Sequence, residues 1–195
     1  MKLLKASRSA AAPQEESFLN NAAELAALQA EVDALRSSQA VIEFEPDGTI
    51  VDANDNFLQA MGYARHEVVG NHHRMFVDQE YAASTEYGQF WDKLRRGEHH
   101  AGTYRRVANG GQTIWIQASY NPVADPSGRI TRVVKYASDI TELKAEQANS
   151  SRLLCMIDSM PLAIMYVDRD LVIQYANPAS IELLEKVQHA LPITP

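Results

Sequence analysis

Several features that mark particular classes of protein are scarce in this sequence. It has one cysteine among 195 residues, Cys155, so no disulfide can form within the chain. No segment approaches the roughly 18 consecutive apolar residues of a membrane helix. The formal net charge is −7, which excludes a broad cationic face for phosphates. We therefore expect a cytoplasmic region that contacts neither nucleic acid nor membrane, whether its parent protein is soluble or membrane-anchored.

Catalytic motifs are missing as well. The sequence has no glycine-rich phosphate loop, no histidine-kinase phosphoacceptor block and no nucleophile beside an evident base. Two histidine pairs, His72-His73 and His99-His100, are adjacent in the chain. Because neighbouring side chains on a strand point to opposite faces, neither pair makes a two-ligand metal site. We predict that the chain is not an enzyme and holds no metal through these pairs.

The N-terminal part of the chain has the composition of a long helix. Residues 1–14 are predicted to be a flexible lead-in, and residues 15–39, which lack glycine and proline, are predicted to be helical. Apolar residues follow the a/d spacing of a coiled-coil seam: Phe18, Leu25, Leu28, Val32 and Leu35. Two interpretations stay open, a coiled coil with another chain and an amphipathic helix that packs on its own domain.

Five strand-like segments follow in residues 40–141. They read "AVIEFE", "TIVDAN", "AGTYRRV", "QTIWIQASYNPV" and "RITRVVKYAS". Pro46-Asp47-Gly48, "ANGG" and "ADPSG" separate neighbouring strands with hairpin turn residues. Short helices are predicted between the second and third strands, the clearest being "EYGQFWDKLRRGE". This order predicts an α+β domain with a five-stranded antiparallel sheet and helices on one face.

An internal repeat divides the chain. "DGTIVDANDNFLQAMG" aligns without gaps with "DLVIQYANPASIELLE", which matches Asn54 with Asn177, 123 positions later. A repeat near one domain length indicates duplicated domains. We therefore predict a complete domain at residues 40–141, a connecting signalling helix at 142–160 and the truncated start of a second domain at 161–195.

These motifs resemble the PAS superfamily of sensor modules. "DGTIVDANDNFLQAMGY", "FWDKLRRGE", "WIQASYNPV" and the closing "DIT" occur in the order that PAS domains show, most like the cytoplasmic PAS units of bacterial methyl-accepting chemotaxis receptors. The resemblance implies a sensory input domain that transmits a redox, oxygen or small-ligand signal to a C-terminal helix. It also implies a homodimer paired through the flanking helices, coupled to a receptor signalling domain and the chemotaxis kinase complex. Asp139, Ile140 and Thr141 would mark the exit of the signal.

The same resemblance implies FAD as the cofactor. Flavin-binding PAS sensors share a "FWxxLxxGE" block and nearby glycine and tryptophan positions with this chain. The residues predicted to line the pocket are Asn54, His73, Met75, Trp91, Tyr104 and Trp115. The chain departs from the flavin pattern at "HHAG" and "RMFVDQEY". Haem is the alternative cofactor. The alternative functions are a cofactor-free dimerisation or interaction module, a haem-binding gas sensor, and a regulator of a kinase or cyclic-nucleotide enzyme.

Overall fold

The secondary structure follows the predicted order in the computed structural model, which describes residues 12–190. In chain order the elements of the first unit are α1 (Ala12–Ser38), β1 (Ala40–Phe44), β2 (Ile50–Ala53), α2 (Asp55–Met61), α3 (Arg65–Val68), a 3-10 turn (His73–Phe76), α4 (Gln79–Ala82), α5 (Thr85–Arg95), β3 (His100–Val107), a second 3-10 turn (Asn109–Gly111), β4 (Thr113–Ala124) and β5 (Ile130–Asp139). The predicted lead-in lies mostly outside the described residues, and its residues 12–14 already belong to α1.

The sheet has the strand order β2-β1-β5-β4-β3, and every neighbouring pair is antiparallel. The first and last strands of the unit lie side by side, with Ile42 opposite Lys135 and Phe44 opposite Val133. Hairpins join β1 to β2, β3 to β4 and β4 to β5, as the turn residues require. The predicted α+β fold with a five-stranded antiparallel sheet is confirmed.

One face of this sheet is buried against the short helices. Buried residues alternate along β4, where Ile116, Ala118 and Tyr120 face the core and the residues between them do not. On α5 the apolar side formed by Phe90 and Trp91 packs into the same core. Burial of an apolar side chain of this size contributes about 1.5–3 kcal/mol to folding.

Helix α1 is held to the sheet by charge near its C-terminal end. Arg36 forms ion pairs with Glu43 of β1 and Asp52 of β2, and Glu43 also binds Arg132 of β5. The apolar seam of α1 is largely exposed, with relative exposures of 67% at Leu25, 53% at Leu28, 43% at Val32 and 51% at Leu35. This exposure argues against packing of the seam on its own domain, while pairing with another chain stays a prediction.

Residues 141–190 form a separate unit. It contains α6 (Thr141–Asp158), β6 (Met165–Val167), β7 (Ile173–Ala176), α7 (Pro178–Val187) and a 3-10 turn (Gln188–Ala190), and β6 pairs with β7 in an antiparallel hairpin. None of the described helices is both long and apolar enough to cross a membrane.

The repeat seen in the sequence recurs in the hydrogen bonds of the two units. Asn54 Oδ1 accepts from the N–H groups of Val41 and Phe57, and its amide donates to the carbonyl of Gln39. The matching Asn177 accepts from Ile164 and Ser180 and donates to Leu162, each 123 positions later. Each asparagine therefore caps a helix and fixes the strand and loop that precede it.

Candidate functional site

The most distinctive polar group of the domain interior is His73, on the 3-10 turn before α4. Its side chain is fully buried between α5 and the sheet. Nδ1 lies 2.9 Å from the Tyr87 hydroxyl and Nε2 lies 3.0 Å from the Tyr120 hydroxyl. Both ring nitrogens are therefore engaged by phenol groups from opposite walls of the core.

Burial decides the charge of this histidine. Its pKa is held well below 6.5, first by burial and then by the positive charges of Arg106 and Lys135. A neutral imidazole has one N–H donor and one acceptor nitrogen, so one of the two tyrosine hydroxyls donates to the ring and the other accepts from it. Burial also raises the pKa of Tyr87 to about 12, so that hydroxyl keeps its proton.

Arg106, on β3, is the second polar group in this interior and is only 4% exposed. Its Nη2 donates to the Tyr120 hydroxyl at 3.1 Å, and Nη1 donates to the carbonyl of Arg105 at 2.8 Å. The guanidinium carbon lies 4.7 Å from the centre of the Tyr104 ring, a cation–π contact. Among the described residues, no acceptor lies within hydrogen-bond reach of the Arg106 Nε.

Lys135 brings a second buried cation to the same core from β5. It is 1% exposed, and its Nζ lies 5.1 Å from the centre of the Tyr120 ring and 5.6 Å from that of Phe57. Burial, followed by repulsion from Arg106, holds the Lys135 pKa well below 10.5. Glu43 is the one buried carboxylate of the described residues, and it lies on the opposite sheet face with its arginine partners.

Four of the six predicted cofactor residues, His73, Met75, Trp91 and Tyr104, are brought together here. The ring centres of His73 and Trp91 are 5.5 Å apart, and the Tyr104 ring centre lies 5.7 Å from that of Tyr120. The Tyr104 hydroxyl is 2.8 Å from Nδ1 of His100. Burial raises the pKa of Tyr104 to about 12. Met75 packs against the same core from a partly buried position.

Asn54 has a different role from the predicted one. Its amide donates to the carbonyls of Arg36 and Gln39, and its oxygen accepts from two backbone N–H groups. Both amide hydrogens and the carbonyl oxygen are therefore used on the backbone. This side chain therefore joins α1, β1 and α2 through backbone hydrogen bonds.

Trp115 lies on the other face of the sheet, contrary to its predicted place in the pocket. Its neighbours Ile114 and Ile116 are buried in the core, at 4% and 3% exposure. Because successive side chains of a strand point to opposite faces, the half-buried Trp115 is directed away from His73 and Trp91. The tryptophan spacing resembled the flavin pattern, but strand alternation excludes this residue from the core.

An open cleft borders the interior at the side of α5 and β3. Its volume is about 510 Å³. Its lining residues are Asp78, Tyr81, Glu86, Gln89, Phe90, Lys93, His100, Thr103, Tyr104, Arg105 and Arg106. Arg106 lines this cleft and Lys135 does not. A ligand that entered the cleft would therefore approach the buried guanidinium of Arg106.

The interior itself leaves no slot for an isoalloxazine ring at the predicted residues. The His73 ring meets Trp91 edge to face with ring centres 5.5 Å apart, and Tyr104 meets Tyr120 edge to face at 5.7 Å. These rings are in direct contact, so no space for a flat ring is left between them. The residues as placed do not fit FAD.

His73 does not fit the role of a haem ligand either. Both nitrogens of the buried His73 are already bound to tyrosine hydroxyls, so this imidazole has no free axial ligand position. Within the described part of the chain, no group of three or more histidine, cysteine, aspartate or glutamate side chains is placed to hold a metal ion.

The sequence-based selection of site residues missed Arg106 and Lys135. A signal was present, since Lys135 alternates in phase with Val133 and Ala137, both buried on the core face. Arg106 stands in "TYRRV" two positions after Tyr104, so it shares the face of that tyrosine. Strand phase points inward for both cations, although residue type alone predicts exposure.

The predicted exit lies where the sheet ends. Asp139 is the last residue of β5 and pairs with Ile116, and the Ile140 N–H donates to the carbonyl of Trp115 at 2.8 Å. Helix α6 begins at Thr141. The sheet hydrogen bonds therefore extend to the residue immediately before the helix.

Comparison with known proteins gives relatives of this chain. It is 46% identical over 132 residues, 64% of the chain and 32% of the relative, to the "Biofilm dispersion protein BdlA" of Pseudomonas aeruginosa. It is 30% identical over 74 residues, 38% of the chain and 14% of the relative, to the "Aerotaxis receptor" of Escherichia coli. The chain thus spans less than a third of the length of either relative.

Family models and a solved structure agree with the architecture. A light-oxygen-voltage domain studied with a flavin analogue matches 63% of this chain and 93% of its own length, at 24% identity and a TM-score of 0.51, which shows the fold alone. Residues 50–137 match a model described as "PAS fold", and residues 151–193 match one described as "PAS domain". Because both matches and the sheet order lead to one fold, residues 50–137 belong to a PAS domain and residues 151–193 match a second one.

Proposed function

We propose that this chain is a cytoplasmic sensory input region of a chemotaxis-type receptor and has no enzymatic activity of its own. In this proposal the domain of residues 40–140 detects a stimulus, and α6 carries its state toward a downstream signalling domain and the chemotaxis kinase complex. The similarity to an aerotaxis receptor and a biofilm dispersion protein supports the assignment to this class.

The observation that carries the proposal is the course of β5. Lys135 lies inside the core on this strand, the strand ends at Asp139, and the N–H of Ile140 still donates to the Trp115 carbonyl directly before α6. Five residues of strand span about 17 Å. Because no loop intervenes, a displacement of β5 caused by a change at Lys135 moves the first turn of α6 with it.

An insertion experiment tests this coupling. Two glycines inserted between Ile140 and Thr141 in the full receptor should abolish the behavioural response, because they add a flexible joint between strand and helix. The matched control places the same two glycines in the Asp125–Gly128 turn between β4 and β5, and this variant should respond normally. An unchanged response after the insertion at Ile140 would contradict the proposal.

Binding of FAD would make the sensory domain a redox sensor. Since the ring cluster around His73 and Trp91 fills the interior, FAD binding would require these side chains to move. Purified chain with flavin absorption bands, or chain that takes up added FAD, would support a redox input. Colourless protein that takes up none would remove FAD from the proposal and leave the sensory assignment in place.

A cofactor-free module for pairing is the second candidate function, and the filled interior favours it. Its natural partner is a second copy of this chain through the exposed seam of α1. Leu28→Asp should then shift the chain from dimer to monomer in sedimentation measurements, because a charge at a seam position opposes helix pairing. The exposed Glu24→Asp should leave the association unchanged.

A further inference from the structure

The cleft beside α5 ends at a buried positive charge. Arg106 is 4% exposed but forms part of the cleft lining, so its guanidinium is the innermost charged group that a ligand in the cleft can meet. If the domain is a sensor, as proposed above, this charge defines the chemical class of its ligand.

Arg106 has more hydrogen-bond donors than the protein satisfies. A guanidinium carries five N–H groups and stays protonated in proteins. The carbonyl of Arg105 and the hydroxyl of Tyr120 each take one N–H, and the Nε–H has no acceptor among the described residues. A buried donor without an acceptor is costly, and a buried charge is more so. The site therefore calls for an acceptor.

The charges nearby show that the acceptor is anionic. Burial and repulsion from Arg106 favour the neutral amine of Lys135, so Arg106 carries the charge, and the only buried carboxylate of the described residues, Glu43, lies on the opposite sheet face. Asp78 and Glu86 also line the cleft, but Asp78 is paired with Arg105 at 2.8 Å and neither carboxylate forms an ion pair with Arg106 among the described residues. Across the described interior, neither Arg106 nor Lys135 has a carboxylate partner.

The walls of the cleft indicate the rest of the ligand. Phe90, Tyr104 and Tyr81 are among its lining residues and offer aromatic surface, while the planar fork of an arginine matches a carboxylate in two parallel hydrogen bonds. A volume of about 510 Å³ suits a small organic molecule.

We propose that Arg106 at the inner end of this cleft binds the carboxylate of a small organic acid, whose apolar body lies along Phe90 and Tyr104, and that this acid is the stimulus of the domain. The bound carboxylate accepts from guanidinium N–H groups that Arg105 and Tyr120 leave unused and balances the buried charge. Its charge also acts on Tyr120, which contacts Arg106, His73 and Lys135 and so connects the cleft to β5.

Calorimetric titration of the 195-residue chain tests the ligand class. The probes are acetate, succinate and benzoate, each compared with its uncharged amide, together with inorganic phosphate. At least one carboxylate should bind saturably, and its amide should bind at least roughly 10-fold more weakly, since a charge-assisted pair at Arg106 is lost. No saturable carboxylate binding up to about 10 mM would overturn the proposal. Amides or phosphate that bind as tightly as the carboxylates would overturn it too.

Variants locate the site. Arg106→Lys keeps the charge but removes the planar fork, and it should weaken carboxylate binding by roughly 10-fold or more. The matched control, Arg129→Lys, changes an exposed arginine that pairs with Asp125 and should bind as the natural chain does. Unchanged binding by a folded Arg106→Lys variant overturns the proposal. If this variant does not fold, the carboxylate-to-amide comparison on the natural chain decides.

The ligand class and the sensory function fail separately. A receptor whose response survives the glycine insertion at Ile140 contradicts the sensory function, whatever binds at Arg106. A receptor that loses its response on that insertion but responds normally with Arg106→Lys retains the sensory function and loses the carboxylate assignment.

Discussion

The sharpest test of how this domain is held together is Asn54→Ala. The change removes four hydrogen bonds at once: two accepted from the N–H groups of Val41 and Phe57, and two donated to the carbonyls of Arg36 and Gln39. Alanine has neither donor nor acceptor in its side chain. The end of α1, the start of β1 and the first turn of α2 therefore lose their common anchor.

The expected loss follows from these bonds. Loss of a helix N-cap costs about 0.5–2 kcal/mol, and each further hydrogen bond contributes about 0.5–1.5 kcal/mol. Partial exposure lets water replace some of the lost partners, so the lower part of each range applies. We expect Asn54→Ala to lower the free energy of unfolding by about 2–4 kcal/mol.

Urea titration followed by tryptophan emission measures this loss. Both tryptophans of the chain, Trp91 and Trp115, lie in the first unit, so their emission reports the unfolding of that unit. The matched control is Asn56→Ala, because Asn56 donates to the carbonyls of Ser37 and Gln39 but caps no helix. It should cost less than about 1 kcal/mol. Equal losses for the two variants, or unchanged stability of Asn54→Ala with loss of a bound cofactor, would refute this reasoning.

Three further changes probe the core. A methyl group at Gly48, where φ is +95°, would lie 2.8 Å from the His72 ring, so Gly48→Ala should cost about 2–4 kcal/mol and Gly110→Ala, in open space, about 1–2 kcal/mol by thermal melting. Because His73 resists protonation when folded, the unfolded chain binds more protons below pH 6.5, and stability should fall there by up to about 1.4 kcal/mol per pH unit. Urea titrations between pH 7 and 5 should show that the stability of His73→Gln depends less on pH than that of the natural chain. An equal pH dependence would mean that another group takes up the proton. Trp91→Phe should cost less than about 1.5 kcal/mol by circular dichroism and Trp91→Ala about 3–5 kcal/mol, since the indole N–H has no acceptor to lose; equal losses would contradict this.

Local chemistry made most of the fold predictable. The turn at Pro46-Asp47-Gly48 requires a glycine with positive φ, and Gly48 has it, which fixes the hairpin between β1 and β2. Two-residue alternation marked β4 and β5, and apolar spacing marked α5 around Trp91. These patterns depend on residues close in sequence, so they can be recognised without knowing which strands and helices pack against one another.

The site was less predictable because it depends on which strand positions face one another. Trp115 and Tyr104 both looked like lining residues by type, yet β3 and β4 pair in a register that sets Tyr104 opposite Ile116 and Trp115 opposite Arg105. This register places Tyr104 on the core face and Trp115 on the other. The spacing of residues in a cofactor motif does not show which residues of the neighbouring strand lie opposite them.

Arg106 and Lys135 show what such a reading overlooks. A domain of this size gains stability by filling its core with apolar side chains, and replacing buried charges by apolar residues of similar volume is often neutral or stabilising. Two cations without a buried carboxylate among the described residues of that core work against this trend. Conflicts between residue type and environment concentrate at functional sites. The buried charge of Arg106, more than the aromatic rings around it, is therefore the feature of the core that points to the chemistry of a ligand.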